Sequence, residues 1–556
     1  MRVLLRALRQ TYLTVDPRSL GLFRVGLGLV LLLDAFYRYQ QLDFWYTNAG
    51  LLPNHTLLWR PPATHVFSLF FVASSAAEAT LGFALCACVY LLLTVGYRTR
   101  AMQWLALICR VSLNSRLAVL ENGGDMVLNL LCCFTLAMPL GRRFSIDAWL
   151  AGAHTHRQRS RPVVSLAMLA LLVQFAAIYF FNAISKQGAA WHNGTAVHYA
   201  LHLDKFATEL GVWMREQLPL SVIRALSWGT LVTEWTACVL LITPIFRRQA
   251  RTLALVLLPC LHLGFGLGLH LGIFSPAMMA FYPLLLDAGH WRRLERLFSR
   301  RAWFTNLRAR SSQWRHTLQL SAAAPTLTAA QPTAAAQWRA RVTRGAGELA
   351  VAVLLVAVAS EALNDNASVP AWLRPRQPGW AKALVEYPRL LQGWRMFAPE
   401  PSSIDSMTYV DAITSEGKHV DPYNLVASRE PFPAGPIVPR RMGQSQFFTM
   451  YSERIAMPEY ANYRQAFSEW LLAYPERTHN SADCLISYAV YYVTDVTPAP
   501  EAPPDQRRAT PREKIRFMDY TAPADGRCHA APPPRQQPLL ATSSDAENTG
   551  KAGHNR

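Results

Sequence analysis

The chain has 556 residues, 51% apolar and only 16% charged, with a formal net charge of +19. Soluble domains carry roughly 25% charged residues, and here the apolar residues fall in long blocks, so a polytopic membrane protein is expected rather than a soluble enzyme. The arginines do not form one basic stripe. They sit in short segments between apolar blocks, which argues against nucleic acid as a partner and for loops on the cytoplasmic side of a lipid bilayer.

Met1–Arg18 is basic and lacks a small-residue cleavage site after a short apolar core, so the first apolar block is expected to stay as a helix. A membrane-crossing helix needs roughly 20 apolar residues. Candidate spans are 20–37, 76–97, 101–119, 125–140, 163–185, 222–246, 251–270, 272–288 and 346–364, which gives eight or nine crossings because 251–288 is barely long enough for two. His65–Ser74 follows Pro61-Pro62 and reads as a re-entrant or interfacial segment.

Loop charges orient this bundle, because Lys and Arg in short loops mark the cytoplasmic side. Arg2, Arg6, Arg9 and Arg18 place the N-terminus inside; Arg98 and Arg100, then Arg142, Arg143, Arg157, Arg159 and Arg161, then Arg247, Arg248 and Arg251 mark later inside loops. The stretch 289–345 carries eleven arginines against one acid, Glu295. The loops between are poor in charge; 38–64 holds Arg38 and Arg60. The expected fold is therefore mainly α: a transmembrane bundle over 1–290, a basic cytoplasmic linker over 291–345, a last span over 346–364 and a small extracytoplasmic α+β domain over 375–520. Within that domain, Met407–Val420 alternates around Glu416-Gly417 as a hairpin does, Glu459–Ala473 has helical spacing, and Leu485–Val496 and Lys514–Tyr520 read as strands. Residues 498–512 and 521–556 are Pro-rich and polar, the composition of disorder.

The most informative stretch is 163–196. A long apolar run ends on Lys186 and gives way to Gln187, Gly188, Trp191, His192, Asn193, Gly194 and Thr195, followed by His198 and His202. Lys186 is open between two readings: an ammonium that snorkels to the headgroups, or a desolvated lysine able to act as a base. Trp191 serves as an apolar wall or as an interfacial anchor. His198 and His202 share a helix face, but no third ligand or second shell is identifiable, so no metal site is assigned.

Arg24, Asp34, Glu78, Arg110, Arg116, Asp125 and Glu234 interrupt apolar blocks. Charges inside a bilayer cost several kcal/mol and usually pair across the bundle interior, so each is expected to find a partner on another helix, as a packing ion pair or as the lining of a polar cavity. Asp125, in the turn Glu121-Asn122-Gly123-Gly124-Asp125, reads first as a helix cap. His262 reads as a core histidine. Seven cysteines lie in apolar blocks and behave as small hydrophobes. Cys484 and Cys528 are the disulfide candidates if their region is extracytoplasmic.

Taken in order, several segments resemble the horizontally transferred transmembrane domain, the membrane domain of vitamin K-dependent gamma-carboxylases and many bacterial proteins. They are Phe44-Trp45-Tyr46-Thr47-Asn48-Ala49-Gly50-Leu51-Leu52-Pro53, Gly96-Tyr97-Arg98-Thr99-Arg100, Asn122-Gly123-Gly124-Asp125, Phe144-Ser145-Ile146-Asp147, Lys186 with Trp191, and His262 with Gly272 and Phe274-Ser275. The region around Trp394-Arg395-Met396-Phe397-Ala398-Pro399-Glu400-Pro401 is similar to the tail of bacterial members. The resemblance implies a reduced, vitamin K-like quinone as cofactor, a peptide or protein substrate, and carboxylase-like chemistry with Lys186 deprotonating the quinol. Asp125, Trp191, His192 and His262 would line the cavity. The turn departs from the carboxylases, which carry Asn-His where this chain has Gly123-Gly124-Asp125. Another relative matures a peptide toxin, which implies the alternative of a non-enzymatic maturation or export scaffold.

Overall fold

The computed structural model describes residues 8–59, 64–151, 159–299, 333–427, 445–502, 513–523 and 535–536. Among the described residues six helices are long and apolar enough to cross a membrane. They are α1 (Pro17–Tyr39), α2 (Ala76–Val95), α5 (Leu166–Ser185), α6 (Leu220–Ile242), α7 (Arg247–Gly268) and α9 (Ala334–Asp365). Three further segments expected to span fall short. The helices α4 (Gly123–Thr135) and α8 (Phe274–Phe281) have too few residues, and α3 (Thr99–Arg116) is long but carries Gln103, Arg110, Asn114 and Arg116 on its buried side. The count of eight or nine spans thus reduces to six long helices and shorter ones packed among them. α9 also begins at Ala334, inside the stretch read as linker; 300–332 lies outside the described residues.

α5 is the centre of the bundle. In its apolar window 72% of residues are buried, against 22% in α9. It packs on α4, α6 and α9, while α1 packs on α2 and α8, and α8 on α4 and α7. The arginine-bearing segments meet at one end. There Arg18 pairs with Glu295, the Ser19 hydroxyl donates to the Leu286 carbonyl, and Arg247 reaches the Gln10 carbonyl. Lys186, Glu121 and Asp125 lie toward the other end, where the C-terminal region docks.

Before that region, β1 (Thr14–Val15) pairs with β2 (Val163–Val164). The long strands of the C-terminal region are β3 (Ile404–Thr414), β6 (Leu485–Val496) and β7 (Glu513–Thr521); β4 is His419–Asp421, β5 Val426–Ala427 and β8 Arg535–Gln536. They form a six-stranded antiparallel sheet in the order β5-β4-β3-β6-β7-β8. β3 turns into β4 through Gly417, whose φ of +77° suits a residue without Cβ. Residues 458–472 are helical as expected, with Arg464–Leu472 as α-helix. Cys484 is disulfide-bonded, and Cys528 lies outside the described residues. So does most of 503–556, but of the stretches read as disordered, 498–502 and 521–523 are described and Arg535–Gln536 pairs with Asp519 and Met518 as a strand.

Docking is aromatic. Helix α10 (Gln446–Ala456) sets Phe448 5.0 Å and Tyr451 5.5 Å from Trp45, and Phe448 5.3 Å from Phe44, ring centroid to centroid. Buried aromatic pairs of this kind add to the area they remove from water. The Phe44-Trp45-Tyr46 motif is therefore a contact surface for the C-terminal region, and both share one hydrophobic core.

Candidate functional site

α5 ends because Lys186 leaves helical geometry, with φ −84° and ψ 68°. The chain then turns through Gln187-Gly188 into the short helix Ala189–His192. This turn folds the lysine inward instead of toward the headgroups, and Lys186 is only 4% exposed. Its Nζ donates to both carboxylate oxygens of Glu234 on α6, at 2.6 and 2.5 Å. The same Nζ lies 4.9 Å from the centre of the Trp191 ring, a cation–π contact strengthened by desolvation.

The segment Met396–Glu400 covers this pair. Trp191 Nε1 donates to the Phe397 carbonyl at 2.9 Å, and the Gly188 amide to that of Pro399 at 3.0 Å. The Ala190 amide donates to Glu400 Oε2 at 3.1 Å, and the Met396 amide to Asn182 Oδ1 at 2.9 Å. Gly188 is required here because an added Cβ would come within 2.5 Å of the Glu400 carboxylate. His192 is exposed, and its ring makes no polar contact among the described residues; only its carbonyl is used, accepting from Trp228 Nε1. The rings of His198 and His202 lie 4.1 Å apart, tilted by 42°, and His198 Nε2 meets the Pro498 carbonyl at 3.0 Å. Among the described residues no group of three His, Cys, Asp or Glu side chains is placed to hold a metal.

A second polar group lies deeper in the apolar interior. Tyr179 sits two helical turns before Lys186 on the same face of α5. Tyr179 OH bonds His262 Nε2 of α7 at 2.8 Å and the hydroxyl of Tyr282, just past α8, at 2.7 Å. The rings of Phe265 and Phe274 stand 5.8 and 5.5 Å from His262, whose buried Nδ1 has no partner among the described residues. Positions read separately in the sequence thus fall into two buried polar groups, Lys186 with Glu234 and His262 with Tyr179 and Tyr282. It was Tyr179 and Tyr282 that sequence reasoning missed. The available signal was that a buried tyrosine hydroxyl almost always finds a partner.

Asp125 belongs to a different cluster. It caps α4 with Asn122, accepting the Asn122 amide at 3.0 Å. It also accepts from Arg38 and Arg110, which both bond Asp34 as well. Asn129 accepts from Arg110 Nε, and Tyr46 OH bonds Arg38. All four charged groups are almost fully buried, so two cations and two anions neutralise one another. Arg38 is therefore a buried helix residue and not a loop charge. Asp34 does have a partner on another helix, Arg110, but also one on its own. Beside this cluster, Glu121 takes a two-pronged ion pair from Arg389 of the C-terminal region. Burial raises the Glu121 carboxyl, and Arg389 works against that rise.

Two other expected intramembrane charges behave differently. Glu78 does not lie in the bundle interior; it is exposed and closes a capping box with Ser75 at the start of α2. Arg24 is buried but finds no acid, donating instead to the carbonyls of Leu93, Thr94 and Phe144.

The HTTM domain family matches residues 12–291. No curated protein and no solved structure matches the chain significantly.

Proposed function

The chain belongs to the HTTM domain family, the transmembrane domain related to vitamin K-dependent gamma-carboxylases, and from that premise we propose a multi-pass membrane enzyme acting on a reduced quinone with Lys186 as its base. The observation that carries this reading is the buried Lys186–Glu234 pair, with the Tyr179–His262–Tyr282 group deeper in the same bundle. Lys186 holds a proton at Nζ, and Glu234 shares it. A lysine so placed can pass its proton along the pair and then accept another from a bound hydroxyl. Trp191 and the Met396–Glu400 segment exclude water, which strengthens every charge interaction inside.

The residues present fit a quinone. His262 offers an unpartnered buried Nδ1 within an aromatic surround, which suits one polar end of a flat apolar ring, and Lys186 would serve the hydroxyl to be deprotonated. When bound, the reduced quinone would supply, on oxidation, the strong base that carboxylation of a peptide side chain requires. In this reading the arginine-rich end faces the cytoplasm, by the positive-inside rule. The Lys186 end and the C-terminal domain then face the outside of the cell membrane.

A second reading, a maturation or export scaffold, draws on the same pair. Glu234 already satisfies Lys186, and a neutral closed pair can simply lock α5 to α6. Incorporation of labelled carbon dioxide into peptide by purified protein, wild type against Lys186→Ala, separates the two. The enzyme reading expects incorporation that the variant loses. A folded, inserted variant with full biological function favours the scaffold.

A further inference from the structure

At the arginine-rich end, well away from Lys186, a cavity of about 380 Å³ opens between the start of α3, the 139–147 loop and Arg159. Arg100, Arg142 and Arg159 line it, with Thr99, Gly141 and Asp147. Among the described residues none of these three arginines pairs with a carboxylate. Arg100 Nη1 donates to the carbonyls of Leu136 and Met138. Arg142 reaches the Arg161 carbonyl at 3.3 Å, and Arg159 that of Gly141 at 3.4 Å. Asp147 forms no ion pair with them; its carboxylate accepts instead from the amides of Arg98 and Thr99 at 2.8 Å and from the Thr99 hydroxyl at 2.6 Å. Burial lowers the Arg142 guanidinium, and repulsion from Arg344, Arg159 and Arg100 adds to that. The cavity thus sets three guanidiniums against one carboxylate and keeps a net positive charge.

Its surroundings name the source of an anion. Asp147 sits on the short helix Ile146–Leu150, whose Ile146, Trp149 and Leu150 are exposed, as is Phe144 just before it. Exposed Trp, Phe and Leu beside a basic pocket, at the end of a transmembrane bundle, form the pattern of an element lying in the headgroup layer. We propose that this cavity binds the phosphate of an anionic phospholipid headgroup, held by Arg100, Arg142 and Arg159, with the acyl chains running beside Phe144, Trp149 and Leu150. Arginine suits the task because its planar fork matches phosphate oxygens.

The test is lipid binding by the full chain in detergent, read by native mass spectrometry and by the rise in Tm. The probes are phosphatidylglycerol, phosphatidylcholine and inorganic phosphate. The expected result is preference for phosphatidylglycerol over phosphatidylcholine, falling about thirtyfold in Arg142→Gln/Arg159→Gln, at roughly one kcal/mol for each of the two arginines near the surface. Arg142→Lys, which keeps the charge but not the planar fork, should retain more of the preference than Arg142→Gln and less than the wild type. Arg293→Gln, at the same end but outside the cavity, should leave it intact. Equal retention of phosphatidylglycerol by wild type and the double variant would overturn the proposal. So would an equal loss in Arg293→Gln, which would indicate only diffuse attraction. Competition by inorganic phosphate as effective as the lipid would overturn the lipid source.

Discussion

The two ends of this bundle handle buried charge in opposite ways. Toward the Lys186 end, cations meet carboxylates: Arg38 and Arg110 share Asp34 and Asp125, Arg389 holds Glu121, Lys186 holds Glu234 and Lys205 holds Glu453. At the other end, Arg24, Arg100, Arg142, Arg159 and Arg251 spend their donors on backbone carbonyls. Carboxylate partners neutralise and fix a cation, whereas carbonyl partners leave its charge available. The first end is built for precise internal geometry, and the second attracts an anion from outside. Arg116 is the exception at the paired end. It donates to the Leu52 carbonyl, but its Nε and Nη1 lack partners.

Breaking the paired end should cost most. Asp125→Ala leaves Arg38 and Arg110 with one acid between them, and removing one member of a buried ion network costs about 3–5 kcal/mol. Thermal unfolding in detergent should register a large drop, against a near-unchanged Tm for Arg159→Gln. Lys186→Met strands the Glu234 carboxylate and should cost about 3 kcal/mol. The double variant Lys186→Met/Glu234→Gln should recover most of that stability without recovering activity, which separates structural from chemical use of the pair.

The C-terminal domain extends the pattern with a lone acid. Asp421 is buried and accepts from the amides of Val410, Tyr423 and Asn424. Asp421→Ala orphans these donors, for a loss of about 2–3 kcal/mol. Burial nevertheless pushes the Asp421 carboxyl up to about 6, above its unfolded value near 4. The folded state then binds the proton more tightly, so the contribution to stability falls as pH rises from about 4 through about 6. Unfolding midpoints of Asp421→Asn against wild type across that range should differ in slope. The smallest effect is expected at Glu78, where Glu78→Ala removes an exposed half of a capping box and should leave Tm close to that of the wild type.

Much of the membrane domain was legible because apolar runs of the right length form helices wherever they sit. The ends of α1, α2, α5 and α6 fall close to the expected limits, and both long strands β6 and β7 were visible from alternation. What could not be read was pairing across the chain. Glu234 follows Lys186 by dozens of residues, and only the packing of α6 on α5 brings them together. Arg38 looked like a loop charge because it closes a helix, yet it is held one turn from Asp34, an i,i+4 spacing that was available as a signal. Glu78 looked intramembrane because its neighbours are apolar. The Ser75 cap three residues earlier already marked it as the first turn of a helix.

The most direct measurement is extraction of the purified wild-type protein followed by mass spectrometry for bound quinone, beside Lys186→Met/Glu234→Gln and His262→Leu. The account predicts quinone in near-stoichiometric amount with the wild type and its loss from the His262 variant. Wild-type protein that purifies folded and carries no quinone, even after reconstitution with one, would contradict it.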